Sequence, residues 1–361
     1  MEISQIVAGY TGGDAISNEA YEMQKLFRSW GYKSEIYVNI QYLSPELRGA
    51  CKDYRQYLKN DSPDNIIIFH FSVGSHLTDF VRGLRSKKVV IYHNITPAQY
   101  YQGIDPQAAE SLAKGREELK AFADVPDLAL GDSDYNRCEL EELGYRNTAV
   151  LPLLLNLDAF DTTRPDEKIA RQFEGNTVNL IFVGRIAPNK KIEDVIKSFF
   201  IYQKTCEPNS RLFLVGGYNQ LDLYYAFLCG LIRELDVRNV WFSQHCSFSE
   251  LVAYYRLSNV FLSMSEHEGF GIPVVESMHL GIPVIAYDAA AVKETMGGAG
   301  ILVKRKDFNE IAEMIDTLIN DEQFRTAVIE KQKRRVEELK QEKIASKLKE
   351  FLKPWLQKVN K

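Results

Sequence analysis

Two glutamates, Glu268 and Glu276, flank a glycine-containing turn and are the clearest candidates for chemistry in the chain. The sequence that joins them reads EHEGFGIPVVE and follows an apolar run of strand length at residues 260–265. Glycines let the backbone turn sharply from that strand into a helix, and the first turn of a helix tolerates a proline because the missing N–H has no partner there. The free amides of a helix start carry about half a positive charge and suit a phosphate or a hydroxyl.

The carboxylates on either side of these amides suit a vicinal diol, because a carboxylate accepts two hydrogen bonds side by side. One of the two glutamates can then bind a pair of sugar hydroxyls and the other a ribose. The spacing alone is explained equally well by a capped surface turn that carries two solvated glutamates.

Three cations form a second candidate group after the strand expected at residues 178–184. Arg185 follows that strand directly, and Lys190 and Lys191 precede a helix whose apolar residues recur on one face. Two cations at one strand end suit a diphosphate. The alternative, ordinary surface cations at a helix start, is disfavoured because positive charge opposes the helix dipole there.

Twelve candidate strands alternate with helical segments and fall into two sets. The sets comprise residues 3–9, 35–39, 66–71, 88–93, 128–132 and 148–153, and then residues 178–184, 212–216, 240–243, 260–265, 283–287 and 300–303. Continuous apolar runs that alternate with helices predict parallel sheets buried on both faces. We therefore expect two Rossmann-like, doubly wound α/β domains at residues 1–156 and 177–339, joined by a polar linker at residues 157–176. Ligands bind at the carboxyl ends of such strands, hence in the cleft between two facing domains.

The composition is that of an ordinary globular protein, with 361 residues, 45% hydrophobic residues and a net charge of −5. No apolar run reaches the length of a membrane span, and the N-terminus enters a strand without a leader-like pattern, so we expect a cytoplasmic protein. The five cysteines form no CxxC pair, which favours free, mostly buried thiols over a disulfide framework or a zinc ribbon.

The charge is unevenly distributed, because residues 331–361 contain eleven Lys or Arg against four Glu, a net charge of +7 that leaves −12 for the remainder. The helix expected at about residues 340–361 is amphipathic and basic. The family resemblance described below implies that it either packs back on the first domain or contacts anionic lipid at the inner face of a membrane. Nucleic-acid binding is disfavoured, because the body of the chain lacks a basic patch interleaved with aromatic residues.

The block EHEGFGIPVVE, followed by GIPVIAYD, resembles the signature of the retaining glycosyltransferases of family four, the glycosyl transferases group 1. The resemblance covers essentially the whole chain, most strongly residues 177–303, and implies a GT-B fold. It also implies that Glu268 contacts the donor sugar, that Glu276 holds the ribose of the nucleotide, and that the amides of the GFG segment lie along the sugar and its diphosphate. These amides belong to Gly269, Phe270 and Gly271.

Further residues match the family pattern one by one. Arg185 and Lys190 match the arginine and the lysine that neutralise the leaving diphosphate, whereas Lys191 stands where most relatives have glycine, so either lysine can be the phosphate ligand. Gly13, in the GYTGGDA turn after the first strand, resembles the family's glycine loop near the donor phosphate or the acceptor, with a plain tight turn as the alternative. His93 matches the strand-end histidine that reaches toward the donor sugar, with a hydrogen-bonded strand-end histidine as the alternative.

No metal site or other cofactor is expected. A metal site formed by His70, His76 and His93 is disfavoured, because the sequence shows neither a helical i, i+4 pair nor a carboxylate partner. The DSD sequence at residues 132–134 resembles a family element that binds no metal, and its serine or its second aspartate suits a helix N-cap.

The resemblance implies transfer of a hexose from a nucleotide diphosphate sugar to a glycan or lipid-linked glycan, with retention at the anomeric carbon, in envelope or extracellular polysaccharide biosynthesis. UDP-glucose is the first expectation for the donor and GDP-mannose the second. Residues 39–60, rich in Tyr and Arg, are expected to form a solvated helix, and acceptor binding is the alternative that the family suggests. Three other functions stay open: a sugar-nucleotide epimerase, a glycosyl phosphorylase with lysine-linked pyridoxal phosphate, and a non-catalytic sugar-nucleotide sensor.

Overall fold

The computed structural model describes residues 1–44, 47 and 49–356, which form two compact units. Unit 1 comprises Met1–Gln99, Pro106–Asn156 and Leu339–Lys361, of which residues 357–361 lie outside the described part. Unit 2 comprises Tyr100–Asp105 and Leu157–Glu338. Each unit has a parallel sheet with helices, so the predicted fold class of two Rossmann-like α/β domains is confirmed.

The sheet of unit 1 has seven strands. They are β1 (Ile3–Val7), β2 (Ile36–Val38), β3 (Lys52–Asp53), β4 (Ile66–Phe71), β5 (Lys87–Tyr92), β6 (Leu128–Gly131) and β7 (Thr148–Val150). The order is β3-β2-β1-β4-β5-β6-β7, and every pair is parallel. The helices are α1 (Ala15–Ser29), α2 (Leu77–Arg82), α3 (Pro106–Ala121), α4 (Asp134–Glu142) and, from the end of the chain, α14 (Gln341–Leu356). The order reverses between β1 and β4, which is the topological switch point of a doubly wound sheet.

The sheet of unit 2 has six strands. They are β8 (Val178–Val183), β9 (Ser210–Val215), β10 (Val240–Phe242), β11 (Val260–Ser263), β12 (Val284–Tyr287) and β13 (Ile301–Val303). The order is β10-β9-β8-β11-β12-β13, again with parallel pairs and with the reversal between β8 and β11. The helices are α5 (Asp158–Thr162), α6 (Glu167–Gln172), α7 (Ile192–Thr205), α8 (Leu223–Glu234), α9 (Phe248–Arg256), α10 (Ile272–His279), α11 (Val292–Met296), α12 (Phe308–Asn320) and α13 (Glu322–Glu338).

Burial and capping explain why these segments form strands and helices. All residues of β4 and β11 are buried, as expected of strands that read as continuous apolar runs. Ser133 caps α4 by accepting the N–H of Asn136 at 3.2 Å, as predicted for the DSD sequence. Ser247 and Glu250 form a capping box at the start of α9. Each such cap stabilises its helix by about 1 kcal/mol.

The C-terminal helix α14 packs its apolar stripe on unit 1. Ile344, Leu348 and Leu352 are at most 3% exposed and share a hydrophobic cluster with Met23 and Phe27 of α1. Full burial of a side chain of this size contributes about 1.5–3 kcal/mol. Unit 1 therefore covers the apolar stripe of α14, while the expected continuation of the helix to residue 361 lies outside the described residues.

Residues 39–60 do not form the expected solvated helix in their described part. They contain two short 3₁₀ helices, Ile40–Tyr42 and Tyr54–Lys59, and the edge strand β3, while residues 45, 46 and 48 lie outside the described part. The side chains of Asn39 and Asp53 each accept the backbone N–H two residues ahead. These hydrogen bonds cap the two short 3₁₀ helices, and the strand β3 lies between them in the described part of the segment.

The expected linker at residues 157–176 contains α5 and α6 and belongs to unit 2. Phe160 of α5 is 4% exposed and packs against the rings of Phe248 and Tyr255. The polar composition of the segment hid such contacts, because only a few apolar residues, among them Phe160 and Phe173, anchor an otherwise polar stretch.

The cysteines are free, as predicted, but their expected burial is wrong. All five have intermediate solvent exposure, namely Cys51, Cys138, Cys206, Cys229 and Cys246. Among the described residues, no helix combines the length and the apolar character that crossing a bilayer requires.

Candidate functional site

The candidate site lies on unit 2, where the loops after β8 and β11 leave the sheet side by side. Leu180 of β8 pairs with Val260 of β11, and the strand order reverses between these two strands. Both loops therefore start at the same carboxyl edge, which is where α/β sheets bind ligands. The loop after β8 carries Arg185 and Lys190, and the loop after β11 carries Glu268.

Lys190 and Glu268 form an ion pair, with 2.6 Å between Nζ and Oε2. Their side chains are 20% and 15% exposed, so water and salt screen the pair less than a pair on the open surface. The two loops are also joined through Asn189, whose carbonyl accepts the N–H of Glu266 at 2.9 Å and whose side-chain amide donates to the carbonyl of His267 at 3.2 Å. The structure thus brings together the cation and the carboxylate that the sequence predicts to contact diphosphate and sugar.

Lys191, next to this pair, has a left-handed backbone conformation with φ of 50°. Glycine adopts this conformation without penalty, whereas it costs a residue with a Cβ about 1 kcal/mol or more, which explains why the family pattern has glycine here. The Nζ of Lys191 lies 3.6 Å from Glu193 and 3.7 Å from Glu266. The geometry therefore pairs Lys190, and not Lys191, with Glu268.

Arg185 donates a hydrogen bond from Nη2 to the hydroxyl of Tyr101 at 2.6 Å. Tyr101 is 7% exposed and belongs to the segment Tyr100–Asp105, which is part of unit 2 although its neighbours in sequence belong to unit 1. Ile104 of the same segment packs on the core of unit 2. The sequence gives no local signal for a contact between residues 84 positions apart, so this partner of Arg185 was not predicted.

The GFG turn before α10 is fixed by its own backbone. Gly271 has φ of 91°, which requires glycine, and its carbonyl accepts the N–H of Val274 at 3.0 Å. Phe270 is 6% exposed, and the hydroxyl of Thr295 donates to its carbonyl. Gly269 completes the turn. Pro273 has no N–H and that of Val274 is engaged, so an anionic ligand at the start of α10 would meet the amides of the GFG turn and of Ile272.

Glu276 of α10 accepts a hydrogen bond from the hydroxyl of Tyr255 at 2.7 Å. Although the residue keeps intermediate solvent exposure, burial of its carboxyl group raises the pKa of Glu276 to about 7, and the hydrogen bond from Tyr255 opposes this rise. Tyr255 is fully buried, so it fixes the orientation of the carboxyl group. Tyr255 was not predicted, because its position on α9 carries no motif.

Gly13 and His93, the predicted site residues of unit 1, lie at the carboxyl edge of its sheet. Gly13 has φ of 79° between β1 and α1, where Asp14 caps α1 by accepting the N–H of Ser17 at 2.9 Å. His93 follows β5, and its Nε2 lies 2.9 Å from Nδ1 of His70. The structure therefore connects His93 to His70, whereas the other seven predicted site residues belong to unit 2.

Comparison with known sequences identifies relatives of this chain. Residues 163–335 match the family model described as Glycosyl transferases group 1. The capsular polysaccharide biosynthesis glycosyltransferase CapM of Staphylococcus aureus is 31% identical over 183 residues, which are 49% of this chain and 46% of that protein. The chain thus spans about half the length of this curated relative.

Solved structures show the fold of the whole chain. The sucrose-phosphate synthase of Thermosynechococcus elongatus matches with a TM-score of 0.75 at 18% identity, over 98% of this chain and 99% of that one. Anabaena HepE in complex with UDP-glucose matches with a TM-score of 0.71 at 18% identity, over 98% and 100% of the two chains. The resemblance carried by the EHEGFGIPVVE block is therefore confirmed: residues 163–335 belong to the glycosyl transferases group 1 family, on a chain with the GT-B fold.

Proposed function

We propose that the protein is a retaining hexosyltransferase that moves a hexose from a nucleotide diphosphate sugar to a glycan or lipid-linked glycan in envelope or extracellular polysaccharide biosynthesis. UDP-glucose is the proposed donor, with GDP-mannose as the second choice. The observation that carries the proposal is the ion pair of Lys190 and Glu268, 2.6 Å apart beside the N-terminus of α10. Arg185 adds a second cation on the loop that carries Lys190.

The chemistry that this arrangement supports is the departure of a diphosphate from a sugar. The bond from the anomeric carbon to the phosphate oxygen breaks with its electron pair going to the diphosphate, so the sugar gains oxocarbenium character. Lys190, Arg185 and the amides of α10 stabilise the growing negative charge by preorganised electrostatics, and we propose that no metal is needed. The acceptor oxygen forms the new bond to the anomeric carbon on the face that the diphosphate leaves, while the departing phosphate takes the proton of the acceptor hydroxyl, and attack on this face gives retention.

The two glutamates position the donor in this proposal. Glu268 accepts hydrogen bonds from the sugar hydroxyls while it shares Lys190 with the diphosphate, and Glu276 accepts hydrogen bonds from the ribose. The assignment of Gly13 and His93 to donor binding is likewise proposed from the family resemblance. The relatives support the substrate class, because CapM is described as a capsular polysaccharide biosynthesis glycosyltransferase and HepE was solved with UDP-glucose.

Calorimetric titration with UDP, GDP and ADP in EDTA tests the donor site. We expect one nucleotide to bind without metal, and the matching hexose donor to yield a product with the same anomeric configuration when acceptor glycan is added, as read by NMR. Binding that appears only after Mg²⁺ is added contradicts a metal-independent site. Epimerised donor without acceptor identifies an epimerase instead, and tight binding without any turnover identifies a sensor.

Donor affinity is expected to increase with pH around neutrality, because Glu276 must be ionised to accept both ribose hydrogen bonds. With a pKa of about 7, the free carboxyl group is mostly protonated at pH 6 and mostly ionised at pH 8. The apparent Kd scales inversely with the competent fraction, so binding at pH 6 should be about ten-fold weaker than the plateau above pH 8. UDP-glucose is the suitable probe, since its diphosphate does not titrate in this range.

The matched control for this prediction is Glu276→Gln, which keeps the size of the side chain and removes its titration. Its Kd for UDP-glucose should be weaker than that of the wild type at pH 8 and nearly constant from pH 6 to pH 8. A wild-type affinity that is flat across this range contradicts the role of the ionised carboxylate.

A further inference from the structure

A cluster of buried polar side chains lies in unit 1, at and near the carboxyl edge of its sheet. Gln5 is fully buried, Glu19, His70 and Asp132 are at most 2% exposed, and the side chain of His93 is 4% exposed. They come from β1, α1 and β4 and from the residues that follow β6 and β5. Burial of so many polar groups is costly unless they satisfy one another, which points to a defined network.

Glu19, His70 and His93 offer ligand atoms within 4.8 Å of one another, a combination that can bind zinc. The ring geometry argues against a metal. The facing nitrogens of the two histidines are 2.9 Å apart, the ring centroids are 5.1 Å apart, and the ring planes differ by 5°. The distance between the ring centroids nearly equals the N–N distance plus the distance from each centroid to its own nitrogen. The two nitrogens therefore lie almost on the line that joins the centroids, and each points straight at the other. A zinc ion at about 2.0–2.1 Å from both would lie well to the side of both lone pairs.

The direction of this hydrogen bond between histidines follows from Gln5. The side-chain nitrogen of Gln5 donates to the carbonyl of Ala20 at 2.8 Å, and a carbonyl can only accept. The side-chain oxygen of Gln5 therefore faces Nε2 of His70, at 3.0 Å, and this nitrogen must carry a proton. In a neutral His70 the other nitrogen, Nδ1, is an acceptor, so His93 donates to it from Nε2.

We propose that His70 is a positioning residue that holds His93 as an imidazolium cation, with one N–H donated to His70 and the other directed at Asp132. Nδ1 of His93 lies 3.6 Å from Oδ2 of Asp132, and Nε2 lies 3.6 Å from Oε2 of Glu19. A neutral His93 that donates from Nε2 turns a nitrogen lone pair toward the carboxylate of Asp132, which is repulsive. Protonation of Nδ1 replaces this repulsion with attraction.

The charged groups that face His93 in the described part of unit 1 favour the cation. They are Glu19 of α1, Asp132 after β6 and the more distant Asp14 before α1, while His70 of β4 is neutral. Burial by itself lowers the pKa of His93, but Asp132, Glu19 and Asp14 outweigh burial and raise this pKa above its ordinary value. Burial and the charge of His93 lower the pKa of His70 well below its ordinary value.

The carboxylates themselves are affected by the same burial. Burial raises the pKa of Glu19 to about 7, and the positive charge of His93 opposes this rise. Burial also raises the pKa of Asp132, and the nearby positive charge of His93 opposes this rise. The positive charge on His93 therefore opposes the rise that burial causes in the pKa of both carboxyl groups.

The proposal assigns an electrostatic role to His93. In this arrangement Nε2 of His93 donates its proton to His70 and the proton on Nδ1 faces Asp132 at 3.6 Å, so the imidazolium has no lone pair with which to take a proton. This consequence rests on the proposed sugar transfer. In that reaction His93 acts as a fixed positive charge and not as a general base. The hydrogen-bond chain from Gln5 to His93 does not depend on that function.

The experiment measures the protonation of His93 directly, in the full-length protein labelled with ¹⁵N-histidine. Long-range ¹H–¹⁵N spectra are recorded from about pH 5.5 to about pH 9, with the six histidines assigned by single substitutions. We expect His93 to keep both nitrogens protonated well above pH 6.5, where an ordinary histidine titrates, and His70 to carry its proton on Nε2 throughout. A wild-type His93 that titrates at the ordinary pH, or a His70 protonated on Nδ1, overturns the proposal.

Two substitutions of His70 separate positioning from packing. His70→Asn places an amide oxygen near the position of Nδ1 and should keep the titration midpoint of His93 within about half a pH unit of the wild type. His70→Phe fills the space without an acceptor and should lower that midpoint by about one pH unit or more. Equal midpoints in the two folded variants contradict the role of His70. If His70→Phe does not fold, the wild-type spectra and Gln5→Leu, which should release the Nε2 tautomer of His70, decide the question.

Zinc addition and activity complete the test. One equivalent of Zn²⁺ should leave the signals of His70 and His93 in place, and a saturable shift of both signals overturns the proposal in favour of a metal site. Failure of the proposed function can be told apart from failure of the proposal for His93. If His93 is protonated but the protein transfers no sugar, the hydrogen-bond chain stands and only the electrostatic role of His93 in catalysis is lost.

Discussion

Replacing Lys190 by alanine is expected to lower kcat of the proposed transfer by about 10²–10³-fold, the loss that follows removal of one preorganised donor to a developing anion. The leaving diphosphate loses its nearest proposed cation. In addition Glu268, 2.6 Å from Nζ and 15% exposed, becomes an unpaired carboxylate that repels the diphosphate. Steady-state kinetics at saturating donor measure the effect, with circular dichroism to show that the variant folds.

Lys191→Gly is the matched control, because it removes the same charge at the next position and replaces a left-handed lysine by glycine. Lys191 is 28% exposed and contacts Glu193 and Glu266 instead of Glu268. We expect kcat of the Lys191→Gly variant to decrease less than about ten-fold, because ion pairs of partly exposed charges contribute little. A larger loss in Lys191→Gly than in Lys190→Ala means that Lys191 is the phosphate ligand and that the ion pair with Glu268 is structural.

The sequence analysis located the central strands well, because a strand buried on both faces must be apolar at every position. The strands β4 and β11 are of this kind, and both were predicted within two residues of their observed ends. The edge strand β3 was missed, since it has two residues, Lys52 and Asp53, and exists only because β2 offers it a parallel partner. Pairing of that sort depends on tertiary structure and leaves no local pattern.

The site was predictable to the extent that its residues follow strand ends. Arg185, Lys190 and Glu268 each lie shortly after a predicted strand, but their meeting depends on β8 being the neighbour of β11, which is a matter of topology. Sequence periodicity does not fix strand order. The supporting side chains Tyr101 and Tyr255 were missed for the same reason, because each reaches its partner from a different element.

The buried cluster of unit 1 shows a second limit of sequence reasoning. His70 and His93 were recognised as strand-end histidines, yet a carboxylate partner was not expected. Glu19 lies in the middle of α1, where a glutamate usually faces solvent, but it is 2% exposed and its Oε1 accepts the N–H of Leu154 at 3.2 Å. The direction that a charged residue of a helix faces depends on how the helix packs, which composition alone does not reveal.

Gly216→Ala is expected to destabilise unit 2 by at least about 3 kcal/mol, through a backbone clash at the base of the site. Gly216 follows β9 with φ of 150°, and a Cβ there would lie 2.1 Å from the carbonyl oxygen of Gly184 and 3.3 Å from the backbone nitrogen of Arg185. Gly184 is itself held by its N–H, which donates to the carbonyl of Val215 at 2.9 Å. Since the clash is with backbone, no rotamer change relieves it. Calorimetry should show the transition of unit 2 lowered by about 6–12 °C.

The adjacent Gly217→Ala is the control for this prediction, because a Cβ at Gly217 meets no atom within 4 Å. Its transition temperature should stay within about 2–4 °C of the wild type, or increase slightly through reduced entropy of the unfolded chain. At a temperature where both variants are folded, Gly216→Ala should also bind nucleotide more weakly than Gly217→Ala, since relief of the clash moves Arg185. Equal stability and equal affinity of the two variants would show that the close approach of the two strand ends does not position the site.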